Sequence, residues 1–343
     1  MYHSVTAFFM TGTGNSYKVA KWFIEAIDTA KISLCQITEK HIDIGLGNSD
    51  LVVFSYPTHG FTAPWLMIKH VFRLPKGNGI PVVVLPTRAG TSVFGCPLPG
   101  MEGTAGYLIA FLLWLRGYKV KGVAGVDMPS NWTAVHWGLS QNNVQVIADR
   151  GKTKVTKLAR DIVAGHNFYS GFIPLVIGLL LARISFMYII IAQLILSKLF
   201  FASNKCNSCS LCQRICPKQA IIMVANRPRW DYSCDSCMAC MNYCPQQAIQ
   251  VSPFTVFLFS YIISLPVAAW IIEKLGYLQD PPTILQFLIQ YIYTLISVAF
   301  AYWLLHKILR ISFVASIWGN LSHTKYFRRY KAPGVSLEDI HKS

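Results

Sequence analysis

The sequence predicts an α/β domain on a doubly wound parallel sheet, then a small α+β metal-cluster domain, then a transmembrane helical hairpin. Short apolar strands alternate with helical stretches through residues 1–166, the order that packs helices on both faces of a parallel sheet. Eight cysteines between residues 206 and 244 repeat one tight motif. Beyond them lie two apolar segments of ~20 or more residues, each long enough to cross a bilayer.

Charge and composition support this division. The 343 residues carry 31 Lys and Arg against 15 Asp and Glu, formally +16, and 53% are hydrophobic; the mean hydropathy is +0.40. A membrane protein with basic cytoplasmic flanks accounts for both. The basic residues lie beside apolar stretches rather than among exposed aromatics, which argues against nucleic acid as a partner. Nothing at the start reads as a signal peptide, since Met1 leads into an apolar strand without a basic stretch. Cys35 and Cys96 stand outside the motif and read as small apolar core residues. Reduced thiols point to a cytosolic, anaerobic setting.

Val5 to Met10 is a buried strand that breaks into Thr11-Gly12-Thr13-Gly14-Asn15-Ser16 and re-forms as a helix from Tyr17 to Ile27. Such a turn cradles phosphate: glycines admit the anion to backbone amides, hydroxyls donate, and the helix N-terminus adds positive potential. It is neither G-x-G-x-x-G nor G-x4-G-K-[ST], so dinucleotide and nucleoside-triphosphate readings lose their main support. Asp50 to Tyr56 is the next strand, ending in Tyr56-Pro57-Thr58-His59-Gly60-Phe61. Ile80 to Leu85 ends in Pro86-Thr87-Arg88-Ala89-Gly90, and Val120 to Val126 ends in Met128-Pro129-Ser130-Asn131-Trp132. Helices are expected over Pro64–Phe72, Gly103–Arg116 and Val144–Ala164, with the ligand beyond the strand C-termini.

The stretch Phe8-Phe9-Met10-Thr11-Gly12-Thr13-Gly14-Asn15-Ser16 resembles the FMN-phosphate loop of flavodoxins, and the resemblance implies their sheet order, 2-1-3-4-5. It implies FMN as cofactor, with Thr11, Gly12, Thr13, Gly14, Asn15 and Ser16 around the phosphate. Tyr56, Pro57, Thr58, His59, Gly60 and Phe61 would flank the ring, and Thr87, Arg88, Ala89 and Gly90 would close its other side. Flavodoxins are usually acidic and this domain is not. An Arg88 cation near a flavin would favour the reduced anion by Coulomb attraction; the alternative is a solvated surface charge. His59 reads equally as a turn residue facing solvent.

Residues 167–202 form an apolar linker. From Gly171 to Phe201 only Arg183, Gln193, Ser197 and Lys198 break the apolar run, and at about 100° per residue they fall within about 140° of one helix face. Thirty helical residues could span a bilayer, but one span would put the first domain and the cysteines on opposite sides. A helix lying in the cytoplasmic leaflet is favoured, with a packed linker helix and a true span as alternatives.

Residues 203–252 form the cluster domain. Cys206, Cys209, Cys212 and Cys216 are followed by Pro217, and Cys234, Cys237, Cys240 and Cys244 by Pro245. C-x2-C-x2-C-x3-C-P written twice binds two cubane iron–sulfur clusters, with the fourth cysteine of each run reaching the other cluster. Cys206, Cys209, Cys212 and Cys244 therefore serve one [4Fe-4S] cluster and Cys234, Cys237, Cys240 and Cys216 the second. Zinc prefers separated C-x2-C pairs, and disulfides belong to small secreted domains. The segment resembles bacterial two-cluster ferredoxins, including the echo of Lys218-Gln219-Ala220-Ile221 in Gln246-Gln247-Ala248-Ile249.

Residues 253–312 hold the hairpin, with helices over Pro253–Ile272 and Thr283–Leu305 and a kink at Pro266. The turn carries Glu273, Lys274 and Asp280, whereas Lys307, Arg310, Lys325, Arg328, Arg329 and Lys331 follow the second helix. The positive-inside rule puts both ends, and the cofactor domains, on the cytoplasmic side of the membrane. His306 reads as an interfacial histidine ahead of a quinone or haem role. Residues 313–343 are a basic cytoplasmic tail, whose Tyr326-Phe327-Arg328-Arg329-Tyr330-Lys331 run suits anionic headgroups or a docking partner.

The order of parts resembles flavodoxin–ferredoxin fusion proteins of anaerobic bacteria and archaea over residues 1–250. It includes Met128-Pro129-Ser130-Asn131 and Arg227-Pro228-Arg229-Trp230. The C-terminal hairpin departs from the shorter soluble members of that group and implies membrane attachment, so the expectation is a membrane-anchored electron relay between a soluble carrier and a membrane-bound or membrane-proximal redox enzyme. An oxidoreductase acting directly on a quinone or lipid-soluble substrate, using Tyr261, Gln286, Gln290, Tyr291 or His306, is the alternative; a redox sensor or scaffold is the second. No hydrolytic triad or NAD fingerprint is visible.

Overall fold

The computed structural model describes residues 2–27, 29, 31–41, 46, 49–93, 96–186, 188, 196–263 and 283–341. Its first unit holds β1 (Ser4–Phe9), β2 (Lys31–Gln36), β3 (Leu51–Pro57), β4 (Pro81–Val93), β5 (Cys96–Leu98), β6 (Lys119–Val123), β7 (Val126–Pro129) and β8 (Phe168–Tyr169). They form one sheet along the path β2-β1-β3-β4-β6-β8, with β5 and β7 paired to β4. Every pairing on the main path is parallel, and the order fits 2-1-3-4-5. The fifth position is shared: the expected strand Val120 to Val126 breaks at Ala124 and Gly125 into β6 and β7. A side chain at Gly125 would run into the buried Glu102 carboxylate.

Alternation along the inner strands builds two cores. Phe8, Val52, Phe54, Val82 and Val84 face α2 (Trp65–Arg73) and α3 (Ala105–Leu115). Val5, Ala7, Phe9, Val53, Val83 and Leu85 face α1 (Asn15–Glu25) and α4 (Gln141–Val163). Strands covered on both faces read as continuous apolar runs, which is why these were legible. The edge strand β2 is half exposed, Lys-Ile-Ser-Leu-Cys-Gln, and has no such run.

The second unit begins earlier than residue 203. Helix α5 (Phe172–Leu180) ends at Leu181, and residues 182–186 resume as helix. A 3₁₀ turn at Leu196–Leu199 then feeds β9 (Phe200–Ala202). The long helix expected over Gly171–Phe201 is thus corrected, because β9 pairs antiparallel with β12 (Ile249–Val251) inside the cluster domain. The expected polar stripe does not form either: Arg183 is exposed, whereas Lys198 is buried and donates to the Trp230 carbonyl at 2.7 Å. Gln193 lies outside the described residues. A hairpin of β10 (Ile221–Val224) and β11 (Arg227–Trp230) turns through Ala225 and Asn226, at φ 49° and 60°.

Helix α6 (Pro253–Ile263) holds the described part of the first hairpin arm; residues 264–282, with Pro266 and the turn, lie outside the description. In α7 (Thr283–Ile308) the residues Val298, Tyr302 and Leu305 are buried, and they share a helix face. Tyr302 and Leu305 pack with Trp230 and Phe259 in the core of the second unit. Leu288–Ile308 is, among the described residues, the one helix long and apolar enough to cross a membrane, and only 17% of its most apolar stretch is buried. A short helix, α8 (Ser312–Asn320), follows.

The tail packs on the rest of the chain. Tyr330, Ala332 and Ile340 are buried, and α9 (Leu337–His341) puts Ile340 into the first unit's core beside Phe23 and Val155. Polar contacts join the two units directly. Glu39 N–H donates to the Pro217 carbonyl at 2.8 Å, Lys218 stands 3.8 Å from Glu39, and Thr133 donates to Asn242 Oδ1 at 3.0 Å.

Candidate functional site

The loop after β1 is held open by its own residues. Gly14 takes φ +98°, which favours glycine, and its N–H donates to Thr11 Oγ1 at 2.9 Å. Among the described residues no side chain caps α1, so its N-terminal amides remain available to an anion. Asn131 Nδ2 donates to Thr13 Oγ1 at 2.9 Å, Asn15 Nδ2 to the Pro129 carbonyl at 2.9 Å, and Ser16 Oγ lies 3.2 Å from Thr87 Oγ1. Those bonds tie the loop to the middle of β4 and to the end of β7.

A cavity of about 350 Å³ opens beyond these strand ends, within the range of small-ligand sites. Thr11, Gly12, Thr13, Asn15 and Ser16 form one end; Pro57, Thr58, His59, Gly60, Phe61, Thr87, Arg88 and Ala89 form the walls. The expected Thr87–Gly90 loop is instead strand, because β7 pairs with it residue for residue. Three expected residues do not line the cavity. Gly14 is turned toward Ala332 and Val335 of the tail. Gly90 faces a separate groove with Ile147 and Asp127. Tyr56 is fully buried in the core, its hydroxyl donating to the Ala105 carbonyl at 2.9 Å.

Arg88 is not a solvated cation, and its charge is not offered to the cavity. Its Nε and Nη2 fork onto Asp127 at 2.8 and 2.9 Å, and Nη1 donates to Glu102 at 2.5 Å. Burial opposes its charge, yet the Asp127 and Glu102 hydrogen bonds outweigh it and raise its pKa. Burial pushes the His59 imidazole below its ordinary value, with Asp235 opposing.

Sequence reasoning missed part of the wall. Met101, Ile184 and Tyr188 reach it from distant segments, and Ser236, Cys237 and Met238 come from the cysteine run. Pro129, Ser130, Asn131 and Trp132 also line it; their position after a strand was the available signal. Thr58 Oγ1 and Ser236 Oγ are buried without a partner among the described residues. With a polar, amide-rich end and aromatic walls, these residues fit the phosphate-bearing flavin that the resemblance implies.

The cysteine loops are shaped alike. Ser208 and Ser210 take φ 60° and 56°; their counterparts Ser236 and Met238 take 53° and 64°; Gln219 and Gln247 match at 51° and 47°. Alternating right- and left-handed residues turn successive N–H groups inward and make a nest for an anion. Ala220 N–H donates to Cys216 Sγ at 3.4 Å and Ala248 N–H to Cys244 Sγ at 3.3 Å, the same bond in each half. Burial pushes Cys212 up to about 11, and the thiols adding to the shift are Cys206, Cys244 and Cys209. Burial likewise pushes Cys237 up to about 12, with Cys216 the first thiol beside it, and Cys240 rises with Cys234, Cys237 and Cys216 around it. Among the described residues no His, Cys, Asp and Glu group is tight enough for a single ion. A cubane spreads its four thiolates over four irons and needs a wider set, so this donor chemistry fits iron–sulfur clusters.

The cavity and the cysteine loops share a wall. A Cβ at Gly12 would collide with the carbonyl oxygen of Cys237, so the two backbones meet where only glycine fits. Tyr330 spans the same seam: its N–H donates to Asn242 Oδ1 at 2.8 Å and its hydroxyl to Asn15 Oδ1 at 2.6 Å. Arg329 is half-buried; Nη2 donates to the Ile249 carbonyl at 3.0 Å, while Nε and Nη1 have no partner among the described residues. Burial lowers it to about 10, opposed by Cys244 and Cys240.

Residues 205–249 match the 4Fe-4S dicluster domain family. No curated protein matches the chain. Among solved structures, a flavodoxin from the domain Archaea aligns at 11% identity and TM-score 0.29, over 46% of this chain and 99% of its own. A WrbA-like flavodoxin from Agrobacterium tumefaciens aligns at 15% and 0.30, over 46% and 98%. Oxidised flavodoxin 2 from Bacillus cereus gives 12% and 0.30, over 45% and 97%. The α/β assignment rests on the sheet order itself.

Proposed function

We propose that this chain is a membrane-anchored electron-transfer protein that holds FMN in the cavity beyond β1, β3 and β4 and two [4Fe-4S] clusters on the crossed cysteine sets. The observation that carries it is the contact of Gly12 with Cys237, which gives the flavin cavity and one cysteine loop a common wall. Bound flavin exchanges electrons singly or in pairs, and cubanes take them singly. The chain's own residues do the rest. Thr11, Thr13 and the open end of α1 hold phosphate, Phe61 and Trp132 supply apolar wall, and the nests of the cysteine loops offset cluster charge. The joined units fix the separation that a diffusing pair would have to find at each encounter.

Helix α7, with its largely bare apolar surface, would anchor the chain in the cytoplasmic membrane. The cofactor domains would then face the cytoplasm, between a soluble carrier and a membrane-proximal redox enzyme. The cavity at His306 measures about 60 Å³, well below the ~300 Å³ at which ligand pockets begin, and so does not favour direct quinone reduction there.

Anaerobic purification in detergent, with iron, sulfide and flavin assayed, tests the reading. About eight irons and one FMN per chain, with both centres reduced together in a titration followed by EPR and absorbance, is the expected result. Clusters without flavin would remove the relay.

A further inference from the structure

The cavity beside the end of α7 has a chemistry of its own. Arg227 and Arg229 reach it from β11, and Lys307 and Arg310 from the end of α7, with Trp303 and His306 between them. All four cations are free of carboxylates: no ion pair among the described residues includes any of them. Each of three is fixed by something else. Arg227 Nη1 donates to the carbonyls of Ala202 and Ser203 at 2.9 and 3.1 Å. Arg229 lies over the Tyr302 ring at 5.6 Å and Lys307 over the Trp303 ring at 4.3 Å. Tyr302 in turn accepts the Trp230 N–H and donates to the Trp230 carbonyl, both at 2.9 Å. The Nε2 of His306 is buried with no partner among the described residues.

The bland account is that Lys307 and Arg310 complement the negative end of α7. That end is worth roughly half an elementary charge, against four cations, two of which come from a different element. Four cations without carboxylate partners around one concave space favour an anion. Its size narrows the class. About 60 Å³ holds about four waters at ~10–15 Å³ each, which is also the room taken by the four oxygens of one tetrahedral phosphate.

We propose that this cavity binds a phosphate oxyanion, and that its source is the headgroup of an anionic phospholipid. The location argues for the lipid. The exposed Phe300, Trp303 and Leu304 stand on α7 beside the cationic residues, so acyl chains would meet apolar surface where the phosphate meets Arg229 and Arg310. A tryptophan at that level is an interfacial anchor, and basic pockets at the inner end of a spanning helix suit anionic headgroups. The lipid source rests on the proposed membrane anchor; the anion site does not.

The test is calorimetric titration of the full chain in neutral detergent with dihexanoyl-phosphatidylglycerol, and separately with inorganic phosphate. The double variant Arg229→Gln/Arg310→Gln is compared with Lys152→Gln/Lys157→Gln, which alters exposed cations on α4. The expected result is saturable lipid binding at one per chain, at least tenfold tighter than phosphate. It should weaken tenfold or more in the first double variant and at high salt, and stay unchanged in the second. Phosphate binding as tightly as the lipid, with the same loss in the first variant, would keep the site and overturn the lipid source. No saturable binding of either, or binding indifferent to Arg229 and Arg310, would overturn the proposal. Iron and flavin content, and retention in carbonate-washed membranes, are read on the same preparations. Loss of those with anion binding intact would fault the proposed function and not this site.

Discussion

Arg88, expected to tune a flavin by its charge, is held in a fork of two carboxylates, with Glu102 nearly inaccessible. Removing one partner of a buried cluster strands the others, at a cost of about 3–5 kcal/mol. Arg88→Ala is therefore expected to lower stability at pH 7 by about 3 kcal/mol in denaturant unfolding. Arg329 is the reverse case, a cation with two unused donors beside cysteines of both predicted clusters. Arg329→Gln should leave iron content unchanged and lower a cluster potential by about 50 mV, the one-electron equivalent of roughly 1 kcal/mol. EPR-monitored titration reads that shift. The cysteines and the Thr11–Ser16 turn were legible because spacing and glycine content are local properties of the chain. The fate of Arg88 was not, because Asp127 is contributed 39 residues away. Tyr56 misled for a related reason: adjacency to a loop does not say which sheet face a strand residue occupies, and its side chain belongs to the α3 side.

Among the elements, β4 and α7 each serve two regions. Strand β4 runs 13 residues, its first half in the central sheet, its middle residues Thr87, Arg88 and Ala89 lining the cavity and its end paired with β5. Its length was hidden because Pro86 and Gly90 read as loop residues, yet β3 pairs with Pro86 and β7 with Gly90, which keeps them extended. Helix α7 is bare along much of its length, but the Tyr302 hydroxyl satisfies the main chain of Trp230 within the cluster domain. Tyr302→Phe leaves the Trp230 N–H buried and unpaired, which costs about 1–3 kcal/mol. Thermal unfolding of the cluster domain, followed by loss of cluster absorbance, should shift down accordingly. Hydropathy alone identified α7 and could not show that one of its faces is core. The shorter strands β9 and β12, three residues each, carry no periodic signal, so the cluster domain's start was placed too late.

Across the whole molecule, the two units meet through backbone at Gly12 and Cys237 and through the side chain of Asn242. Gly12→Ala forces a Cβ into the Cys237 carbonyl, with an overpacking cost of about 1–3 kcal/mol. Flavin and iron should both bind, while electron equilibration between them, measured by stopped-flow or flash photolysis, slows. Such long-range docking leaves no trace in sequence spacing; the order of parts was readable, and their embrace was not. The same embrace has a consequence in time. Tyr330 closes on Asn15 from 315 positions downstream, and at ribosomal rates of about 5–20 residues per second that separation is roughly 15–60 s of synthesis. The N-terminal domain is thus made first and finished late. Until Tyr330 emerges, that loop stays uncovered, an interval in which a nascent chain can be loaded, or be lost to proteases, before the closing contact forms.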